Sequence, residues 1–257
     1  MLMWRKNELH YIAHSDVGDK RDVNEDNFFA AVEKQGKRSA GLFAVADGCG
    51  GMQYGDEASR ITAEEVSNAW GRLLESDTNI FRYTNNLSKR IDEILEEMIQ
   101  KAHLSVIELG NRLNCDPAST LSILFISDGH YWIKHVGDSR IYRFRNGSLE
   151  RLTEDQTMLA DMIRNGEINE TDACNYKRSI LSMSIGIKGK VYSYSNRGNV
   201  LNGDIFLICS DGFYSFADES RICEVLAEGI NDSNELRKII DDGKASDNVT
   251  FIAVYSA

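Results

Sequence analysis

A single proline, Pro117, stands in 257 residues, and no apolar run approaches the roughly 18 to 20 residues needed to span a bilayer. The N-terminal stretch MLMWRKNELHYIAHSDVG lacks the apolar segment and small-residue cleavage site of a secretory signal, so a cytoplasmic protein with no membrane association is expected. Five cysteines (Cys49, Cys115, Cys174, Cys209, Cys223) are widely spaced, odd in number and without a CxxC pair. That pattern excludes a disulfide framework and a zinc knuckle and reads as reduced thiols. The five histidines, His10, His14, His103, His130 and His135, show no ligand spacing. Basic runs are missing too: 29 Lys and Arg against 40 Asp and Glu give a net charge of -11, which excludes an electrostatic track for nucleic acid. Internal repeats and low-complexity linkers are absent, and 42% hydrophobic residues suffice for a core. Length alone leaves one large domain or two small ones open.

What is present has clear periodicity. Apolar residues at Leu87, Ile91, Leu95, Met98, Ala102, Val106, Leu109 and Leu113 recur at spacings of three and four, which predicts a long amphipathic helix. An earlier helix is predicted over about 56–75, and the two would form a hairpin packed on a sheet. The segment from Ser119 to Thr153 is rich in β-branched and aromatic residues, with hairpin signals at Asp128-Gly129 and Asn146-Gly147. Its Tyr131, Trp132, Tyr142 and Phe144 are expected in core and cross-strand packing. A helix at about 155–165, two less regular strands, the strand DIFLICS, two short helices and the terminal strand NVTFIAVYS complete the reading. Antiparallel strands interspersed with helix pairs predict an α+β layered domain.

Carboxylates sit at the ends of these strands. Asp47 ends the apolar run from Leu42 to Ala46 and is followed by Gly48, Gly50, Gly51 and Gly55. Asp138 follows IKHVG, Asp211 ends IFLICS, Asp247 precedes NVTFIAV, and Asn24-Glu25-Asp26 precedes FFAAV. Each alone is an ordinary turn residue. Gathered together, carboxylates repel one another and need cations. Oxygen ligands without imidazole or thiolate suit Mg2+ or Mn2+ with waters retained, and two such ions can activate a water and polarise a phosphoryl oxygen. The glycines after Asp47 would let the backbone approach an ion closely.

In order along the chain, RDVNEDNFF, VADGCGGMQYGDEAS, STL, VGDSRIYRFRNGSLERLTEDQT, LICSDGF and SDNVTFIAV resemble the metal-dependent protein serine/threonine phosphatases of the 2C (PPM) type, in their compact bacterial form. The resemblance runs from about Asp16 to Val254. It implies a four-layer α/β/β/α fold, a central antiparallel β-sandwich flanked by helix pairs, as one catalytic domain over residues 1–257 that is expected to work as a monomer. It also implies hydrolysis of phosphoserine and phosphothreonine by a metal-activated water, without a phosphoenzyme. By matching position, Asp47 would bridge two Mn2+ or Mg2+ ions, Gly48 would offer its carbonyl to one, and Glu25 would reach that ion through a water. Asp211 and Asp247 would bind the second ion, Asp138 a weaker third, and Arg21 would clamp the substrate phosphate. Residues from about 155 to 180 would form the variable flap beside the site. The partner implied is a phosphorylated protein, a bacterial serine/threonine kinase or its targets.

Four positions depart from the family pattern. Cys49 and Met52 stand where relatives carry histidines, Gln156 replaces a usual histidine, and Ala118 a common glycine. Leaving-group protonation would then fall to water, and Cys49 raises the question of oxidation sensitivity. Two alternatives stay open on these residues: a pseudophosphatase that only binds phosphoproteins, and a phosphatase of a small phosphorylated metabolite.

Overall fold

The computed structural model describes residues 8–50, 53–75, 79–175, 180–230, 232–240 and 245–256. Strands β1 (Leu9–Asp16), β2 (Asp26–Gln35) and β3 (Arg38–Asp47) lead into helices α1 (Gly55–Glu75) and α2 (Asn85–Leu113). Strands β4 (Leu121–Ser127), β5 (His130–Val136), β6 (Arg140–Arg145) and β7 (Ser148–Arg151) follow. The remainder is α3 (Met158–Arg164), a 3-10 helix (Glu170–Asn175), β8 (Tyr194–Asn199), β9 (Ile205–Cys209), α4 (Asp211–Tyr214), α5 (Glu219–Glu228), α6 (Ser233–Arg237) and β10 (Val249–Ser256).

The strands form two five-stranded antiparallel sheets, ordered β1-β10-β9-β6-β7 and β2-β3-β4-β5-β8. Alternation along β3 shows why they stack. Phe43 and Val45 point into a core shared with Leu124, Ile133, Phe206, Ile208 and Ile252, whereas Leu42 and Ala44 face α1 and α2. The expected apolar stripe of α2 is buried there from Leu87 to Leu109, with Trp70 and Leu73 of α1 opposite. Leu113, the last residue of the stripe, is exposed. Thr84 caps α2, accepting from the Leu87 amide at 3.0 Å, and Asn114 in the left-handed region ends it. On the opposite face, Ile222 and Leu226 of α5 and Leu236 of α6 pack on Leu207, Phe251 and Ala253. Helix, sheet, sheet, helix is the layering expected from the resemblance, an α+β fold.

Both hairpin dipeptides are turns with two left-handed residues, φ 44° and 75° at Asp128-Gly129 and 52° and 78° at Asn146-Gly147. That geometry matches the strand twist. All four aromatics, Tyr131, Trp132, Tyr142 and Phe144, are buried. Three expectations change. The helix expected at about 155–165 begins only at Met158, because the Thr157 hydroxyl caps it and residue 156 is held in bridging hydrogen bonds. The two less regular strands reduce to β8, with the chain before it held by isolated bridges, Thr157 with Leu181 and Ser119 with Ile185. Among the described residues three short helices, not two, separate β9 from β10. No helix among the described residues is long and apolar enough to cross a membrane.

Candidate metal centre

The antiparallel order brings strand ends that are distant in sequence to one edge of the sandwich. Asp47 closes β3, and Asp26 opens β2 directly opposite it in register. Asp138 lies in the β5–β6 connection, Asp211 begins α4 just after β9, and Asp247 stands two residues before β10. Arg21, Asp47, Gly48, Cys49, Asp138, Asp211 and Asp247 line one cleft of about 700 Å3. Glu25 abuts the same turn: a Cβ placed on Gly55 would fall 2.8 Å from its Oε1. Met52 and Gly51 lie outside the described residues.

Each of these side chains is held by its own backbone network. The Asp47 amide donates to Thr120 Oγ1 at 3.0 Å, and the Thr120 amide returns a bond to the Asp47 carbonyl at 2.8 Å. Gly48 donates to the Glu25 carbonyl, and a Cβ there would meet the Gly55 carbonyl oxygen at 2.3 Å, so the turn admits only glycine. Asn248 ties down the loop before β2, accepting from the Glu25 amide and donating to the carbonyls of Val17 and Val23, each at 2.9 Å. Arg21, exposed, donates to Asp247 Oδ2 at 2.8 Å and lies over Gly50. The phosphate clamp implied by the resemblance is thus engaged with a carboxylate here.

The electrostatics follow from this crowding. Burial, then the charges of Asp26, Asp211, Asp138 and Asp247, pushes Asp47 well above the usual carboxylate range. Burial raises Asp138 to about 7, with Asp211 and Asp155 adding to it against Arg140. Asp211 is raised by burial and Asp247, opposed by a hydrogen bond shared with Asp47. Glu25 is raised chiefly by burial. Protons therefore substitute for missing positive charge.

The donor set fits hard divalent cations: all oxygen, with a single cysteine whose thiol is pushed up by burial and the neighbouring carboxylates. Without a cation among those carboxylates the Cys49 thiol is a poor thiolate. Among the described residues no group of three or more His, Cys, Asp or Glu side chains is arranged to hold an ion by itself. The carboxylates line a cleft without closing into a cage, an arrangement that suits ions keeping much of their water.

Sequence reasoning missed several members. Asp26 was visible in the NED triplet but not assigned a place; it is buried, accepts from the Ser210 hydroxyl at 2.8 Å and is raised to about 7 by burial, with Asp211 and Asp247 contributing. Thr120 and Asn248 lie inside the quoted STL and SDNV motifs, where only burial distinguishes a brace from a strand residue. Tyr214, whose hydroxyl donates to the Asp138 carbonyl at 3.1 Å, had no sequence signal.

Comparisons with known proteins show the family and the fold. A family model described as Protein phosphatase 2C matches residues 18–239. The serine/threonine phosphatase stp of Listeria innocua is 30% identical over 253 residues, covering 96% of this chain and 95% of that one. The solved serine/threonine phosphatase of S. agalactiae has the same fold, with a TM-score of 0.82 at 24% identity over 97% of this chain and 100% of that one. The catalytic domain of PstP, solved in complex with 2 manganese ions, gives 0.73 at 24% identity over 97% and 98%. Matched along nearly its whole length, the chain belongs to the protein phosphatase 2C family.

Proposed function

We propose that this protein phosphatase hydrolyses phosphoserine and phosphothreonine in proteins with Mn2+ or Mg2+ ions held in the acidic cleft. Asp47 would serve two ions, joined at one by Gly48 and Glu25 and at the other by Asp211 and Asp247, with Asp138 holding a weaker third. The 2 manganese ions in PstP support that number. Bound there, such ions supply an activated water and offset charge at phosphorus. The residues do the positioning. Arg21 exchanges Asp247 for the substrate phosphate, presenting a planar fork of donors to its oxygens. Thr120 holds the backbone of Asp47, and Asn248 holds the loop that carries Arg21. With cysteine and methionine at positions 49 and 52, where relatives carry histidines, the leaving oxygen would take its proton from water.

One observation carries this reading: carboxylates from four separate strand ends line one cleft, and three of them, Asp47, Asp138 and Asp211, are raised by burial and by neighbouring carboxylates. The carboxylates that the resemblance requires, Glu25, Asp47, Asp138, Asp211 and Asp247, are all present in the sequence, which supports catalysis over a binding-only pseudophosphatase. The working unit is the whole chain as one catalytic domain, a cytoplasmic monomer acting on a bacterial serine/threonine kinase or its targets.

The test is turnover of p-nitrophenyl phosphate and of a phosphothreonine peptide by purified protein. Mn2+ should give activity, chelator should remove it, and Asp47→Asn or Asp211→Asn should abolish it with the circular dichroism spectrum unchanged. A wild-type protein inert with Mn2+ would count against catalysis, and a preference for sugar phosphates would favour the metabolite alternative.

A further inference from the structure

We infer that Gln156 is a positioning residue for the cleft: it fixes the loop that carries Asp138 and ties that loop to the root of the flap. The family pattern places histidine here, and in sequence Gln156 is merely a departure. In the fold, four of its polar groups are engaged with three different segments. Its amide donates to the Gly137 carbonyl at 2.7 Å, and its side-chain Oε1 accepts from the Gly137 amide at 3.0 Å. Gly137 is thereby gripped on both backbone groups by one residue. The Gln156 carbonyl accepts from the Ser182 amide at 2.9 Å, and its Nε2 donates to the Tyr192 carbonyl at 3.1 Å. One turn farther on, Met158 donates to Ile180 at 2.8 Å, closing the flap root as a small ladder.

Gly137 is a position where such a grip is transmitted. Its φ is +107°, a conformation side chains rarely adopt, and a Cβ there would fall 2.6 Å from Thr120 Cγ2. Thr120 in turn holds the Asp47 amide. Asp138, the next residue, is fixed from the other side by the Tyr214 hydroxyl on its carbonyl. The Arg140 guanidinium lies 3.7 Å from the Tyr214 ring centroid and makes a bidentate pair with Asp155 at 3.0 and 2.7 Å, immediately before Gln156. Displacement of the flap root therefore acts on Gly137, and through it on Asp138 and the packing against Thr120. An exposed side chain serving only the flap would reach no further than Ser182 and Tyr192.

This inference rests on reading the cleft as the phosphatase site, and the experiment separates the two. Gln156→Ala removes both side-chain bonds, and Gln156→Met removes them while keeping length and packing. In both variants the Gly137 amide should exchange hydrogen with solvent about tenfold faster in metal-free protein, and kcat for p-nitrophenyl phosphate should fall about tenfold with little change in KM. The melting temperature should stay near that of wild type. A Gly137 amide as protected as in wild type, or faster exchange with kcat unaltered, overturns the inference. If wild-type protein shows no turnover, the phosphatase reading has failed, and the exchange measurement alone decides whether Gln156 holds the loop.

Discussion

At the scale of single residues, the site is defined by close approach and by charge. Gly48→Ala would drive a methyl into the Gly55 carbonyl, 2.3 Å away, and also toward the Glu25 carbonyl at 2.8 Å. Overpacking of this kind costs about 1–3 kcal/mol, so thermal denaturation should register the loss, accompanied by a collapse of turnover. His135 gives a second prediction. It is fully buried; burial lowers its pKa from 6.5 to about 4, and as a neutral ring it donates from Nε2 to the Gly137 carbonyl and accepts at Nδ1 from the Ser122 hydroxyl. The folded value lies below the unfolded one, so the unfolded chain takes up the proton first. The stability due to the neutral ring is complete above about pH 6.5 and is lost as pH falls toward 4, a contribution of about 3 kcal/mol across that window. His135→Gln should flatten that part of the denaturation profile relative to wild type; an identical slope would refute the assignment. The acidic residues were legible in sequence because each interrupts an apolar run. Asp26 was not, since adjacent carboxylates in one triplet cannot be ranked without knowing which faces Asp47 across the ladder.

At the scale of elements, strand ends and the segments beside them do different work. Asn248, at the entrance to β10, carries three bonds to the loop that bears Arg21. Asn248→Ala should destabilise the fold by about 1–3 kcal/mol through the backbone groups left unpaired, and should raise KM for phosphopeptide several-fold as Arg21 loses its fixed origin. Leu95→Ala, deep under α2, should cost about 2–5 kcal/mol and leave KM unchanged, because that core lies beneath the helices and away from the cleft. Denaturant melts with steady-state kinetics on both variants separate the two effects. Long elements such as α2 were legible because their periodicity persists for many turns. The stretch from residue 180 to 193 was not, since its backbone is held by isolated bridges and by Gln156, contacts made at long range and invisible to a local pattern.

At the scale of the whole molecule, an acidic protein of net charge -11 concentrates carboxylates in one cleft and so ties its stability to cations. In the metal-free protein Asp26 and Asp138 titrate at about 7, above their unfolded value of 3.8. Their contribution is complete below the unfolded value and is lost as pH rises through 7. Divalent ions replace those protons, so the gain in melting temperature on adding Mn2+ should be larger at about pH 8 than at about pH 6. An equal gain at both would count against the cleft as the site of binding. The layered architecture was legible from the order of helix pairs and hairpins; the engagement of Arg21 with Asp247 was not, because it joins residues 226 apart. The most direct measurement of the central claim is calorimetric titration of Mn2+ into metal-free wild type, Asp47→Asn and Asp211→Asn. Wild type should take up at least two ions and each variant should lose one or both, whereas variants that bind Mn2+ like wild type would contradict a metal centre built on these carboxylates.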